Sequence, residues 1–134
     1  MRNIFFLLTF LLANNLLSQD TNMSEEYQFK YFYMKVWNEA ENETSYVPQG
    51  TNAKLTLNKF YKKYTLTFND DSGTPRQVTY TYLSDYLDYF WKMKDDYGTI
   101  HVAPKSYNNK EFGFILAEKK YGSIITFELT NQLK

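Results

Sequence analysis

The feature that most constrains this chain is an alternation of large apolar and polar residues with a period of two, interrupted at short intervals by turn-forming residues. Ala53, Leu55 and Leu57 alternate with Lys54, Thr56 and Asn58, and Tyr64, Leu66 and Phe68 alternate with Lys63, Thr65 and Thr67. Val78, Tyr80 and Tyr82 then alternate with Gln77, Thr79 and Thr81, and the pattern returns at Phe112, Phe114 and Leu116 and at Ile125, Phe127 and Leu129. Successive side chains of a strand point to opposite faces, so this spacing describes half-buried strands. Asn69 to Pro75, Asp95 to Gly98 and Lys119 to Gly122 supply the Asn, Asp, Gly and Pro that turns use to reach their special backbone angles. Short connections join neighbours antiparallel, and no connection is long enough for a parallel crossover. The expected fold is all-β: a single antiparallel sheet of about seven or eight strands, forming a curled meander or a small closed barrel, with a two-sheet sandwich as the alternative.

Three stretches are less regular. Between Tyr27 and Glu39 both parities become apolar after Tyr31, which suits a strand buried on both sides or one whose parity is shifted by a bulge. Asn38 to Gly50, with three glutamates, Pro48 and Gly50, reads as a polar loop. Leu83 to Trp91 fits two readings. Leu87, Tyr89, Trp91 and Met93 alternate, predicting a turn at Ser84-Asp85 and a strand from about Tyr86 to Lys94; Leu83, Leu87 and Phe90 also fit a short helix near residues 84–91 capped by Ser84.

The chain carries 13 Tyr, 11 Phe and 2 Trp, so aromatic rings do much of the burial that Leu and Val do elsewhere. Trp37, Trp91, Tyr31, Tyr33, Tyr80 and Tyr82 are the candidate ligand-binding residues, because such rings stack on planar groups and line apolar pockets. Their period-two placement equally suits core and half-core sheet positions.

The N-terminus has a separate logic. Met1-Arg2-Asn3 precedes an apolar run from Ile4 to Leu12, and Asn14-Asn15-Leu16-Leu17-Ser18-Gln19 follows. A charged start, a short apolar run and a polar end make residues 1–19 a predicted export signal, with one all-β domain over residues 20–134. The run is shorter than the roughly 20 residues a bilayer-spanning helix needs, so no transmembrane segment is expected once the signal is cleaved. Its Leu-Ser-Gln-Asp ending is similar to the export signals of Bacteroidetes bacteria, which implies a periplasmic or extracellular protein. There is no cysteine, which removes a lipid-anchored N-terminus and any disulfide framework.

Composition also narrows the chemistry. With 15 basic and 15 acidic residues, the chain has no electrostatic footprint for nucleic acid. The lysines of the hairpin at Lys59, Lys62 and Lys63 read as strand-edge solubility. His101 is the only histidine; lying opposite Ile100 and Val102 in parity, it is expected to face solvent or a polar rim. One His and no Cys leave too few ligands for a zinc site. The aspartates at 70, 71, 85, 88, 95 and 96 sit in or beside predicted turns, where Asp bonds to backbone. Asn69-x-Asp71-x-Gly73 lacks the further acidic position, the glycine register and the closing Glu of a calcium loop. Asn22-Met23-Ser24 and Asn42-Glu43-Thr44 match the glycosylation sequon, a plausible loop site in a eukaryotic secretory protein and of little meaning in a bacterial one.

No catalytic residue, metal or cofactor is therefore assigned, and a non-enzymatic role is expected. The leading expectation is a small apolar or amphipathic ligand held by an aromatic-lined barrel. The alternative is an envelope protein partner contacted by Tyr-rich faces and loops. The analogy to lipocalin barrels is architectural only: their Gly-x-Trp opening is absent, Trp37 following Lys35-Val36.

Overall fold

The alternating segments become strands wound once around a common interior. A computed structural model describes residues 24–134 of the chain. The predicted export signal lies outside the described residues. The strands are β1 (Ser24–Asn38), β2 (Glu43–Asn58), β3 (Lys63–Asn69), β4 (Pro75–Tyr86), β5 (Phe90–Lys94), β6 (Ile100–Pro104), β7 (Phe112–Leu116) and β8 (Ser123–Thr130). Each pairs antiparallel with the next, and β1 also pairs with β8, closing an eight-stranded barrel in chain order. Closure settles the choice between meander, sandwich and barrel, and it leaves the sheet without a full-length free edge.

The inward parity is the apolar one. Leu55 faces Leu66, Leu57 faces Tyr64, and Tyr64 faces Tyr80 across successive ladders. Phe112 faces Leu129 and Phe114 faces Phe127 on the opposite wall. The interior is filled: Tyr64, Leu66, Met93, Phe114 and Leu129 have no measurable exposure, and the Tyr80 and Phe114 rings stack at 3.7 Å between centroids with 7° between planes. An eight-stranded barrel is just wide enough for side chains to fill it, and here aromatic rings do so.

Four local expectations are corrected. Asn38 to Gly50 is not a loop. Only residues 39–42 turn, and β2 already starts at Glu43, pairing with Asn38, because the exposed polar residues lie along a ladder with β1. The register shifts where Phe32 faces Gly50 and Tyr33 faces Pro48, so Gln49 is bulged out. A proline is tolerated at such a break in the ladder. Second, no helix forms near residues 84–91 and no turn forms at Ser84-Asp85. β4 continues to Tyr86, the turn is Leu87 to Tyr89 with Leu87 at positive φ, and β5 starts at Phe90 rather than Tyr86. Asp85 pairs with Trp91 and Tyr86 with Phe90, so the ladder overrides the local turn signal. Trp91 and Met93 keep the expected inward alternation within β5, whereas Leu87 and Tyr89 fall in the turn and face solvent. Third, β1 begins at Ser24, ahead of the Tyr27 from which the strand is expected.

Fourth, His101 points inward and is 1% exposed. It faces Met93 on one side and Leu116 on the other, both of the inward parity. Ile100 and Val102 occupy the outer wall instead, half-buried. The histidine is compatible with the interior because Asp95 reaches it.

Candidate functional site

In an up-and-down barrel the connections alternate between two ends. Residues 39–42, 70–74, 95–99 and 117–122 form the first end; residues 59–62, 87–89 and 105–111, with the start of β1, form the second.

The first end is built by polar clamps. At the β3–β4 turn, Asp70 Oδ1 accepts the Ser72 and Thr74 amides and the Ser72 hydroxyl, while Oδ2 accepts from Arg76 Nε at 2.8 Å. The Ser72 hydroxyl, then Arg76 and the Thr74 amide, hold this carboxyl far below the usual carboxylate range. Both Asp70 carboxylate oxygens are thereby committed to the turn. At the β5–β6 turn, Asp95 Oδ1 accepts the Tyr97 and Thr99 amides, each at 2.9 Å, and Oδ2 sits 2.9 Å from His101 Nε2. Burial opposes ionisation of Asp95, but the His101 bond and the Thr99 and Tyr97 amides outweigh it and lower its pKa. His101 Nδ1 is buried and unpartnered, so the tautomer bearing its proton on Nε2 leaves no orphaned N–H. The ring is walled in by Tyr80, Phe114 and Phe127. This His–Asp pair ties the β5–β6 turn to the core.

The six candidate aromatics are not brought together. Tyr80, Tyr82 and Trp91 lie inside the barrel, with Tyr82 edge-on to Trp91 at 6.1 Å. Tyr31 and Tyr33 lie on the outer face of β1, on the parity of Glu128 and Thr130, with their rings 6.0 Å apart. Trp37 shares that parity at the far end of β1 and is half-buried. Tyr33 is covered because the C-terminus folds back over it: the Lys134 amide donates to its hydroxyl at 3.2 Å, and Lys134 Nζ reaches Glu111 at 3.3 Å. Glu128 is buried in the same patch, 3.7 Å from Lys35, with Oε1 unpartnered. Burial, with nearby Glu111 adding, raises its pKa against the pull of Lys35 and Lys134. Clefts of about 330 to 540 Å³ open on the surface among the described residues, and none of these four is lined by any of the six candidates.

The second end is the unusual one. β3 pairs with β4 only as far as Lys63 opposite Thr81, so the β4–β5 hairpin overhangs the rim from Tyr82 onward. The overhang exposes Leu83, Tyr86, Leu87 and Tyr89, the last two at 73% and 77%. Beside it, the β2–β3 turn exposes Phe60 and Tyr61, edge-to-face at 4.9 Å. Lys62 bridges the two turns, its ammonium 4.4 Å above the Tyr82 ring. Within this rim the mouth is filled by Tyr107 of the β6–β7 connection, 4.6 Å from Tyr27 and 5.3 Å from Phe29. Below lie Tyr64, Trp91 and Phe112, with the Tyr64 hydroxyl donating to the Pro104 carbonyl at 2.5 Å. Tyr27 donates to Glu25, which also pairs with Lys59; burial and the Glu25 carboxylate push the Tyr27 hydroxyl up to about 12. Burial likewise raises the pKa of Tyr64.

Sequence reasoning passed over this end. The isolated ring of Tyr107 in the polar stretch Ser106 to Lys110 was the available signal, as were Phe60-Tyr61 and Leu87-Asp88-Tyr89 in turns that need no apolar residue. Among the described residues no group of three or more His, Asp and Glu could hold a metal ion. The chain matches no family model, no curated protein and no solved structure.

Proposed function

We propose that this is a non-enzymatic interaction module, exported as its leader-like N-terminus suggests, that engages a protein partner of the cell envelope through the second end of the barrel. One observation carries the reading: Phe60, Tyr61, Leu83, Tyr86, Leu87 and Tyr89 stand exposed on adjacent turns at one end of a barrel whose interior is already filled. Exposed apolar side chains cost solubility, and grouped at one site they are the usual mark of an interaction surface. The outer wall mixes Tyr31, Trp37, Ile100 and Val102 with Thr and Lys, whereas the tip gathers exposed apolar side chains at one place, so the tip is the contact in this reading.

Native mass spectrometry of the protein purified from its envelope fraction tests this. A stoichiometric protein partner that disappears in the Phe60→Ser, Leu87→Ser, Tyr89→Ser triple variant is expected. A partner that the triple variant retains sinks the proposal. A small apolar or amphipathic ligand, on the architectural analogy to lipocalins, is the second reading. Tyr107 favours it, because a single side chain from a connection fills the mouth at that same end.

A further inference from the structure

We propose that the second end of the barrel is a gated site for a planar aromatic ligand of one or two rings bearing a single hydroxyl, and that Tyr107 is the gate. The inference rests on the small-ligand reading of this end and names its ligand and its moving part.

The gate follows from how the β6–β7 connection is held. β6 and β7 are paired only at His101–Leu116 and Val102–Ile115, with the Ala117 amide donating to the Ile100 carbonyl beyond them. Toward the second end the ladder stops, and Lys105 to Glu111 is the longest connection among the described strands. Its ends are tied: the Lys105 amide donates to the Tyr89 carbonyl at 2.9 Å, and Glu111 pairs with Lys134. Between them the Lys110 amide donates within the connection, to Asn108 Oδ1. Across the mouth, the connection is held by the ring of Tyr107 against Tyr27 and Phe29. The Pro104 carbonyl, freed where the ladder ends, is satisfied from inside by Tyr64, so the seam stays intact wherever the connection sits. A segment with tied ends and one aromatic hold has two arrangements, ring in and ring out, without disturbing the barrel.

The ligand class follows from what the gate displaces. The slot fits a phenol ring, tilted against Tyr27 and edge-to-face with Phe29. Its rim offers one polar station, the Glu25 carboxylate with the Tyr27 hydroxyl and Lys59 around it, which accepts from and donates to a hydroxyl. A flat ring carrying one hydroxyl satisfies both walls and station; an aliphatic chain would forfeit the ring–ring geometry.

The test uses the full chain with 2-naphthol and 4-methylphenol as probes, followed by calorimetry and by NMR shifts at Tyr27 and Phe29. Wild type is expected to bind 2-naphthol with shifts confined to the mouth, and Tyr107→Ala to bind it roughly tenfold tighter, since no ring must first leave. Tyr107→Phe, which keeps the plug, is expected to stay within about threefold of wild type. Should Tyr107→Ala unfold, wild type alone decides: the nuclear Overhauser contacts between Tyr107 and Phe29 vanish at saturating 2-naphthol. Contacts that persist at saturation, or a Tyr107→Ala variant that binds no tighter, overturn the gate while leaving the small-ligand reading standing. No binding by either protein overturns both.

Discussion

Replacing Asp95 by alanine removes a carboxylate that ties a turn to the core, and its cost follows from the bonds it makes. Oδ2 meets His101 Nε2 at 2.9 Å in a site where the histidine is 1% exposed, so no water replaces the lost acceptor. A hydrogen bond to a charged group contributes about 1.5–3 kcal/mol, and the stranded His101 nitrogen sets the value toward the upper end. The Tyr97 and Thr99 amides, which Oδ1 accepts, lie closer to water and add about 0.5–1 kcal/mol each. The expected loss is about 3–4 kcal/mol, a large share of the 5–15 kcal/mol typical of a domain (roughly). With a urea slope of about 1.5–2 kcal/mol/M, the unfolding midpoint falls by about 2 M.

A cycle with His101→Leu isolates the pair, with an expected coupling of about 1.5–3 kcal/mol. The pH dependence has a definite sign. The folded pKa of Asp95 is lowered, so its contribution is fully present above the unfolded value near about 4 and is lost as pH falls through the folded value. Wild type therefore loses midpoint in acid more steeply than Asp95→Ala. A loss under about 1 kcal/mol, or a coupling near zero, refutes the clamp.

Four further outcomes are expected. Glu128→Gln raises the urea midpoint at pH 7 by about 1 kcal/mol of stability, because a carboxylate whose pKa is raised by burial destabilises the fold when ionised; the gain shrinks as pH falls through the folded pKa of Glu128 and the wild-type group becomes neutral. Gly50→Ala costs about 2 kcal/mol or more in the same titration, since its Cβ would lie 2.6 Å from Phe68 Cδ2 and against the Asn69 carbonyl. Phe114→Ala, which empties the slot against Tyr80, costs about 3–5 kcal/mol and lowers near-ultraviolet ellipticity. The Phe60→Ser, Leu87→Ser, Tyr89→Ser variant stays within about 1 kcal/mol of wild type in that assay, because these residues face solvent.

What the sequence determined by itself is the class of fold and the run of strands. Alternation at Ala53–Leu57, Tyr64–Phe68 and Phe112–Leu116 fixes inward and outward faces locally, and Asn69 to Pro75 and Asp95 to Gly98 fix turns through backbone angles and short side-chain bonds. These are short-range effects, written in neighbouring residues. Closure was not legible, because pairing β1 with β8 joins residues about a hundred positions apart, as Phe32 with Leu129, and no local pattern specifies it. Asn38 to Gly50 and Ser84-Asp85 carry local turn signals, yet both are drawn into strands by pairing with β1 and with β5, and a partner strand is not written in the segment itself. His101 turned inward because Asp95 reaches it across a turn, a pairing that parity alone opposed. The aromatics divided for the same reason. Period two says that a ring lies on a face, but only the closed barrel decides that Tyr80, Tyr82 and Trp91 face its interior, that Tyr31 and Tyr33 lie on its outer wall, and that Tyr107 fills its mouth.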